Sequence, residues 1–245
     1  MRVHQATLGG LRCTVAQISD EPPGLLVVLC HGFGAPGDDL VLLAPELCDL
    51  RPELERARFL FPEAPLSLGW SGMGDARAWW MIDLEGMDRA RREGPEAMAR
   101  IRAAVPDGLP RVRRMLRACL DEACLQVGLP LSAAVLGGFS QGAMLATDVA
   151  LRLEEPPAGL CILSGTLICE PEWRRLAPAR AGLPVLQTHG RLDDLLPFEG
   201  AEALRDLLAG AGLPVDFHAF DGAHGIPREV KGPWADFLAA RVPAP

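Results

Sequence analysis

The chain has 245 residues, a net charge of −8 at pH 7 and 49% hydrophobic residues, so it can bury a sizeable core. No apolar run reaches the roughly 18 residues of a membrane span, residues 1–20 lack the apolar core of a signal peptide, and no basic stripe suited to nucleic acid is present. We therefore expect a cytoplasmic protein with no nucleic-acid partner and no stable membrane insertion.

The first half of the chain predicts strands separated by loops. Short apolar runs bounded by proline or glycine predict strands over 11–18, 24–30 and 58–61. The glycine-rich loop HGFGAPGDD follows the second of these strands, and a helix is predicted over 40–50. Pro95 is expected to start a helix that runs through 101, and an amphipathic helix covers 109–127. The stretch from about 70 to 110 is therefore the expected excursion from the sheet, and its side chains could wall a substrate pocket.

The second half of the chain repeats one alternation of strand and helix. The predicted strands cover 133–139, 159–163, 184–188 and 215–220. The predicted helices cover 141–153, 172–181, 198–211 and 227–241. This alternation indicates βαβ units, and hence a mostly parallel central sheet with helices on both faces. No linker or internal repeat is visible, so we predict a single domain over residues 1–245.

A serine stands where the first strand of this second half meets its helix, in the sequence VLGGFSQGAMLA. Gly138, Ser140 and Gly142 make a G-x-S-x-G pattern, in which glycines let neighbouring backbones approach and the turn exposes the hydroxyl. The helix from Gln141 would direct its first amides at developing negative charge. We interpret Ser140 as a nucleophile. The alternative is a serine that only caps a tight strand–helix turn.

A serine hydroxyl needs a base at neutral pH. Three histidines follow Ser140: His189, His218 and His224. We favour His224, because it lies in a short loop after the last strand, from where it can reach the carboxyl edge of the sheet. His189 is the second choice, and His218 lies within a strand.

The base in turn needs an orienting carboxylate. Asp193 and Asp194 follow the strand at 184–188, and composition and spacing do not separate them. Asp221 lies three residues before His224, and we favour a turn-capping role for it.

The oxyanion hole and the acyl pocket need further groups. The amide of Gln141 and that of Phe33, in the early glycine-rich loop, are the candidate oxyanion donors. His31 in the same loop is expected to hold the loop rather than to act as a base. The bulky apolar side chains that either line an acyl pocket or belong to ordinary core are Trp70, Met73, Trp79, Trp80 and Met81.

The seven cysteines include no C-x-x-C pair, and those in apolar runs are typical of buried small hydrophobes. We therefore predict neither a disulfide framework nor a metal site.

Six segments together resemble one known family. LCHGFGAPGDD, FPEAP, AWWMID, LGGFSQGAMLA, THGRLDDLLP and GAHG occur in the order found in the phospholipase/carboxylesterase family, which includes acyl-protein thioesterases and small bacterial carboxylesterases. The resemblance covers about residues 25–238. It implies an α/β-hydrolase fold and no cofactor.

The resemblance also implies roles for individual residues. The family's nucleophile and late histidine correspond to Ser140 and His224, and its first aspartate after the HG pair corresponds to Asp193. Its oxyanion amides correspond to those of Phe33 and Gln141. The stretch 83–109 is longer and more charged than in the acyl-protein thioesterases and is closer to bacterial members, so the resemblance leaves the acyl preference open.

The resulting hypothesis is a serine carboxylesterase for esters of small or medium acyl chains. The alternatives within enzymes are an acyl-protein thioesterase or lysophospholipase, and transfer of the acyl group to an acceptor other than water. A non-catalytic binding module on the same scaffold is disfavoured, because all three triad residues are present. The expected partner is a small-molecule ester or thioester, and a homodimer is kept as an option.

Overall fold

The computed structural model describes residues 1–69 and 72–243, within which the chain forms ten strands and eight α-helices. The strands are β1 (Arg2–Leu8), β2 (Leu11–Gln17), β3 (Leu25–Cys30), β4 (Ala57–Pro62), β5 (Leu66–Ser67), β6 (Arg77–Ala78), β7 (Ala134–Phe139), β8 (Gly159–Leu163), β9 (Val185–Gly190) and β10 (Val215–Phe220). The helices are α1 (Leu43–Leu50), α2 (Leu84–Glu93), α3 (Pro95–Ala103), α4 (Leu109–Val127), α5 (Gln141–Arg152), α6 (Glu170–Leu176), α7 (Phe198–Gly210) and α8 (Arg228–Ala239).

Eight of the strands form one sheet in the order β1-β2-β4-β3-β7-β8-β9-β10. The six strands from β4 to β10 in this order are parallel, while β2 runs antiparallel to both β4 and β1. The predicted mostly parallel sheet is therefore confirmed. The chain leaves β3 toward β4 on one side and later returns to β7 on the other. Such a switch in strand order opens a crevice at the carboxyl edge of a parallel sheet.

The sheet is covered on both faces, and β3 shows how its sequence produces this. Every residue of LLVVLC is buried, because alternate side chains point into different cores. Leu26 and Val28 join a core that includes residues of α4, α5, α6 and α7. Leu25 and Val27 join a second core that includes residues of α1 and α8.

The short strands β5 and β6 were not predicted, and one longer strand and two helices also depart from the sequence prediction. Strand β1 was not predicted, since its first four residues are exposed and mostly polar and it is held only as an edge strand against β2. Helix α2 forms within the charged stretch because Asp83 caps it by accepting a hydrogen bond from the Gly86 amide, and it ends at Gly94, whose φ is +103°. The helix predicted over 172–181 is shorter: α6 ends at Leu176 and a 3₁₀ turn with Pro178 follows.

A buried carboxylate links three helices behind the sheet. Asp148 on α5 has no exposed surface and pairs with Arg113 on α4 and with Arg152 one turn further along α5. The indole Nε1 of Trp173 on α6 donates to Asp148 Oδ1 at 2.9 Å. The charge of Asp148 is thus both paired and hydrogen-bonded, which a buried carboxylate requires.

Among the helices that the structure describes, none combines the length and the apolar character needed to cross a membrane.

Candidate active site

Ser140 sits in a strained turn between β7 and α5. Its backbone has φ 54° and ψ −119°, a conformation that a residue with a side chain adopts at a cost. The flanking glycines are required by the approach of β3: a Cβ on Gly138 would lie 2.5 Å from the carbonyl oxygen of Cys30, and one on Gly142 would lie 2.1 Å from it. The G-x-S-x-G spacing therefore has a steric cause, and the turn lifts Ser140 above the carboxyl edge of the sheet.

His224 and Asp193 meet at the same edge. The Nδ1 atom of His224 lies 2.6 Å from Asp193 Oδ2. The ring of His224 packs 4.7 Å, between centroids, from that of Phe139, the residue before Ser140. These contacts bring the predicted base beside the serine turn, with its Nδ1 turned to the predicted acid.

The carboxylate of Asp193 is buried and saturated with donors. Its Oδ1 accepts the amides of Leu195 at 3.0 Å and Leu196 at 2.8 Å, and its Oδ2 also lies 3.2 Å from Nε2 of His189. Burial by itself would raise the pKa of Asp193. The hydrogen bonds from His189, His224 and the Leu196 amide outweigh that effect and hold the pKa well below its ordinary value. Asp193 is thus a permanent anion at neutral pH.

The loops that carry the acid and the base are fixed to each other. A Cβ on Gly190 would lie 2.3 Å from the carbonyl oxygen of Gly222, so the end of β9 touches the loop of His224 directly. Ser164, just after β8, donates its hydroxyl to the carbonyl of Gly225 at 3.0 Å. Sequence reasoning missed Ser164. The signal available was a serine directly after a buried strand at the same edge of the sheet.

The competing histidines and carboxylates lie elsewhere or serve other contacts. His189 is completely buried against Asp193, on the side away from solvent. His218 lies on the edge strand β10 and pairs with Asp216 at 2.9 Å. Asp194 is exposed, and Asp221, with 91% of its side chain exposed, faces an arginine instead of His224. The structure thus separates Asp193 from Asp194, which composition and spacing did not.

The glycine-rich loop after β3 lies beside the serine. A Cβ on Gly32 would lie 3.4 Å from Cβ of Ser140, so the residue before Phe33 is in contact distance of the serine side chain. His31 fastens this loop: its Nε2 accepts the amide of Ala64 at 2.9 Å, so its Nδ1 carries the proton and donates to the Gly32 carbonyl at 2.8 Å. Burial lowers the pKa of His31. Both its ring nitrogens are engaged in holding the loop.

The backbone amide of Gln141, the first residue of α5, has no acceptor within the helix, because the first N–H groups of a helix have no carbonyl partner there. This amide is therefore available to an oxyanion. The side chain of Gln141 is fully buried.

The predicted pocket residues divide into two groups. Trp79 and Trp80 are 0% and 3% exposed and pack in the core beside α4 and α5, so the core interpretation fits them and the pocket-wall interpretation does not. The physical reason is their large apolar area, together with a partner for the Trp79 indole N–H inside the fold. Met73 and Met81 are about half exposed. Trp70 lies outside the described residues.

Burial determines the state of the cysteine side chains. The seven cysteines are free and buried, and burial raises the pKa of Cys161 to about 12, so that thiol stays protonated. Within residues 1–69 and 72–243, no three His, Cys, Asp or Glu side chains are grouped so as to hold a metal ion.

Comparison with known proteins identifies the family. A family model described as Phospholipase/Carboxylesterase matches residues 11–241. An acyl-protein thioesterase 1 from Eremothecium gossypii is 29% identical over 198 residues, covering 75% of this chain and 72% of the relative. A probable carboxylesterase from Oryza sativa subsp. japonica is 29% identical over 196 residues, covering 79% and 78% of the two chains.

A solved structure agrees with the sequence comparison. The crystal structure of esterase PE8 superimposes with a TM-score of 0.75 at 29% identity, covering 98% of this chain and 99% of that one. The predicted α/β-hydrolase fold is thereby confirmed. The chain is an ester hydrolase that belongs to the phospholipase/carboxylesterase family of α/β-hydrolases.

Proposed function

We propose that this hydrolase cleaves carboxylic esters of small or medium acyl chains through a Ser140–His224–Asp193 triad. The observation that carries the proposal is the 2.6 Å contact between His224 Nδ1 and Asp193 Oδ2, beside a serine held at a positive φ. With its Nδ1 proton donated to Asp193, His224 has an unprotonated Nε2 that can accept the proton of a serine hydroxyl.

The proposed reaction has two steps. As Ser140 Oγ attacks the ester carbonyl, its proton passes to His224 Nε2, and the imidazolium is stabilised by the ionised Asp193. The tetrahedral intermediate collapses when the ester C–O bond breaks, and the alcohol leaves with the proton from His224. Water then loses a proton to His224 while attacking the acyl-enzyme, and Ser140 Oγ leaves with that proton. The free acid and the resting enzyme are regenerated.

Two backbone amides are proposed to stabilise the oxyanion. The amide of Gln141 opens α5, where the helix dipole favours negative charge, and the amide of Phe33 lies in the loop beside Ser140. The side chain of Phe33 packs on Leu68, Ala76 and Ala78, a small apolar cluster beside the loop. This cluster offers a wall for a short acyl group. The half-exposed Met73 is near it, with its terminal methyl 3.5 Å from the position of a Cβ on Gly34.

A second candidate function is hydrolysis of long acyl chains, as an acyl-protein thioesterase or lysophospholipase. It is favoured by relatives named acyl-protein thioesterase 1 and by exposed apolar side chains on segments that adjoin the site: Met73, Met81, Leu192 and Leu195.

A cytoplasmic location remains a prediction of the sequence.

The test is hydrolysis of p-nitrophenyl esters from acetate to palmitate, and of thioesters with the same acyl groups, by wild type and Ser140→Ala. Ser132→Ala, at an exposed position just before β7, is the matched control. We expect wild type and the control to favour short and medium esters and Ser140→Ala to be inactive. A rate that keeps rising to palmitate or to the thioesters would select the second candidate. Hydrolysis that survives in Ser140→Ala would overturn Ser140 as the nucleophile. No hydrolysis by wild type would overturn the proposed esterase activity and favour acyl transfer or binding without turnover.

A further inference from the structure

The two proposed oxyanion amides belong to segments that are far apart in the sequence. Phe33 lies in the loop after β3, whereas Gln141 starts α5. An oxyanion hole is effective only if its donors lie about 2.7–3.1 Å from the position that the oxyanion will occupy. Whatever fixes the loop against the start of α5 therefore sets the rate of the proposed reaction.

Trp79 contacts both segments through hydrogen bonds. Its backbone N–H donates to Oε1 of Gln141 at 2.9 Å, and its indole Nε1–H donates to the carbonyl of His31 at 2.9 Å. The other end of the Gln141 amide donates to the carbonyl of Trp80 at 2.8 Å. Trp79 and Gln141 have no exposed surface, and His31 is 1% exposed, so water does not compete for these bonds.

The same segment also runs along the loop on the far side of Phe33. The amide of Gly34 donates to the carbonyl of Arg77 at 2.8 Å, and the amide of Arg77 donates to the carbonyl of Ala35 at 3.0 Å. The ring of Trp79 packs 5.4 Å, between centroids, from the imidazole of His31. Residues 77–79 are thus hydrogen-bonded to the loop on both sides of Phe33. They are also hydrogen-bonded to Gln141, the residue after Ser140.

We infer that Trp79 is a positioning residue of the oxyanion hole, which sets the distance between the Phe33 and Gln141 amides by binding the segment of each. The inference rests on the proposed function. Trp79 is too deeply buried to touch substrate, so it acts through the two amides. A tryptophan that served the core alone would affect stability without affecting stabilisation of the tetrahedral intermediate.

The experiment replaces Trp79 by Phe, which keeps an aromatic ring and removes the indole N–H. Trp173→Phe is the matched control, because Trp173 is equally buried and loses a hydrogen bond of the same 2.9 Å length, to Asp148 behind the sheet. Both variants are compared with wild type in thermal unfolding, in kcat and KM for a short p-nitrophenyl ester, and in inhibition by a trifluoromethyl ketone. That ketone forms a tetrahedral adduct with a serine and so reports on the oxyanion hole.

We expect Trp79→Phe to lower kcat about tenfold, less than the roughly 10²–10³-fold loss on removal of a whole donor, because the donors are displaced and not deleted. KM should stay within about twofold, and affinity for the ketone should fall by the same factor as kcat/KM. Trp173→Phe should lose stability and keep both kcat and ketone affinity.

If both variants lose only stability, Trp79 is a core residue and the inference is overturned. If Trp79→Phe does not fold, Gln141→Met carries the test, since it removes both side-chain hydrogen bonds and keeps the Gln141 backbone amide. Wild-type kcat in Gln141→Met would overturn the inference. Failure of the proposed function is recognised separately, by activity that survives in Ser140→Ala.

Discussion

Replacing Gly142 by Ala should nearly abolish activity, although the change adds one methyl group. The new Cβ would lie 2.1 Å from the carbonyl oxygen of Cys30 and 2.5 Å from that of His31, both of them backbone atoms that no rotamer change can move. Ordinary contact begins at 3.4 Å, so α5 and the end of β3 must separate by about 1.3 Å. This displacement acts on Gln141 and on the loop of Phe33, the two proposed oxyanion donors. A misplacement of about 1 Å costs about 100-fold in rate, and overpacking costs about 1–3 kcal/mol in stability.

The assay is kcat for a short p-nitrophenyl ester, with circular dichroism and urea unfolding on the same samples. Gly232→Ala is the matched control, since a Cβ there meets no atom within 4 Å on helix α8. The control should keep wild-type kcat and gain about 0.5–1 kcal/mol, because alanine restricts the unfolded chain. A folded Gly142→Ala protein with kcat within about threefold of wild type would refute the reasoning, since the contact would then not control the donors.

The remaining predictions concern two carboxylates. Asp193→Asn should lower kcat about 10⁴-fold, because an amide does not hold the imidazole of His224, the proposed base, in its productive tautomer; Asp194→Asn, at the exposed neighbouring position, should keep wild-type kcat, and equal losses would contradict the assignment. Since the fold lowers the pKa of Asp193, its stabilisation is fully present above about pH 5 and is lost as the pH falls below the unfolded value of about 4 toward the folded one. In urea titrations, the stability advantage of wild type over Asp193→Asn should therefore shrink with decreasing pH. Asp148→Asn should lower the free energy of unfolding by about 3 kcal/mol. This value is at the low end for a broken buried ion pair, because the side chains of Arg113 and Arg152 are about one-fifth exposed. Urea unfolding checks this, and an unchanged midpoint would show that the network stabilises nothing.

Sequence patterns were sufficient where structure is set by neighbours along the chain. The strand–helix alternation of the second half predicted β7 to β10 and α5, α7 and α8 within a few residues. A strand buried on both faces appears in the sequence as a short apolar run, and a helix packed on the sheet appears as apolar residues with helical periodicity. The turn at Ser140 was predictable for a different reason: Gly138 and Gly142 mark in the sequence the two positions where the approach of β3 leaves no room for a side chain. Edge strand β1 was missed because an exposed strand with one partner carries little apolar periodicity.

The sequence by itself determined the parallel sheet, the serine turn and the order of the candidate catalytic groups, since each depends on local spacing or on strand ends that share one edge. Only the tertiary structure decided which groups meet across long separations. Composition and spacing left Asp193 and Asp194 open, the family resemblance implied Asp193, and the structure places Asp193 in contact with His224 and His189. The structure also shows that Trp79, predicted as a possible pocket residue, is buried and hydrogen-bonded to both His31 and Gln141, which are 110 residues apart in the sequence. Such contacts arise from packing and hydrogen bonding between distant segments, and periodic patterns along the sequence do not predict them.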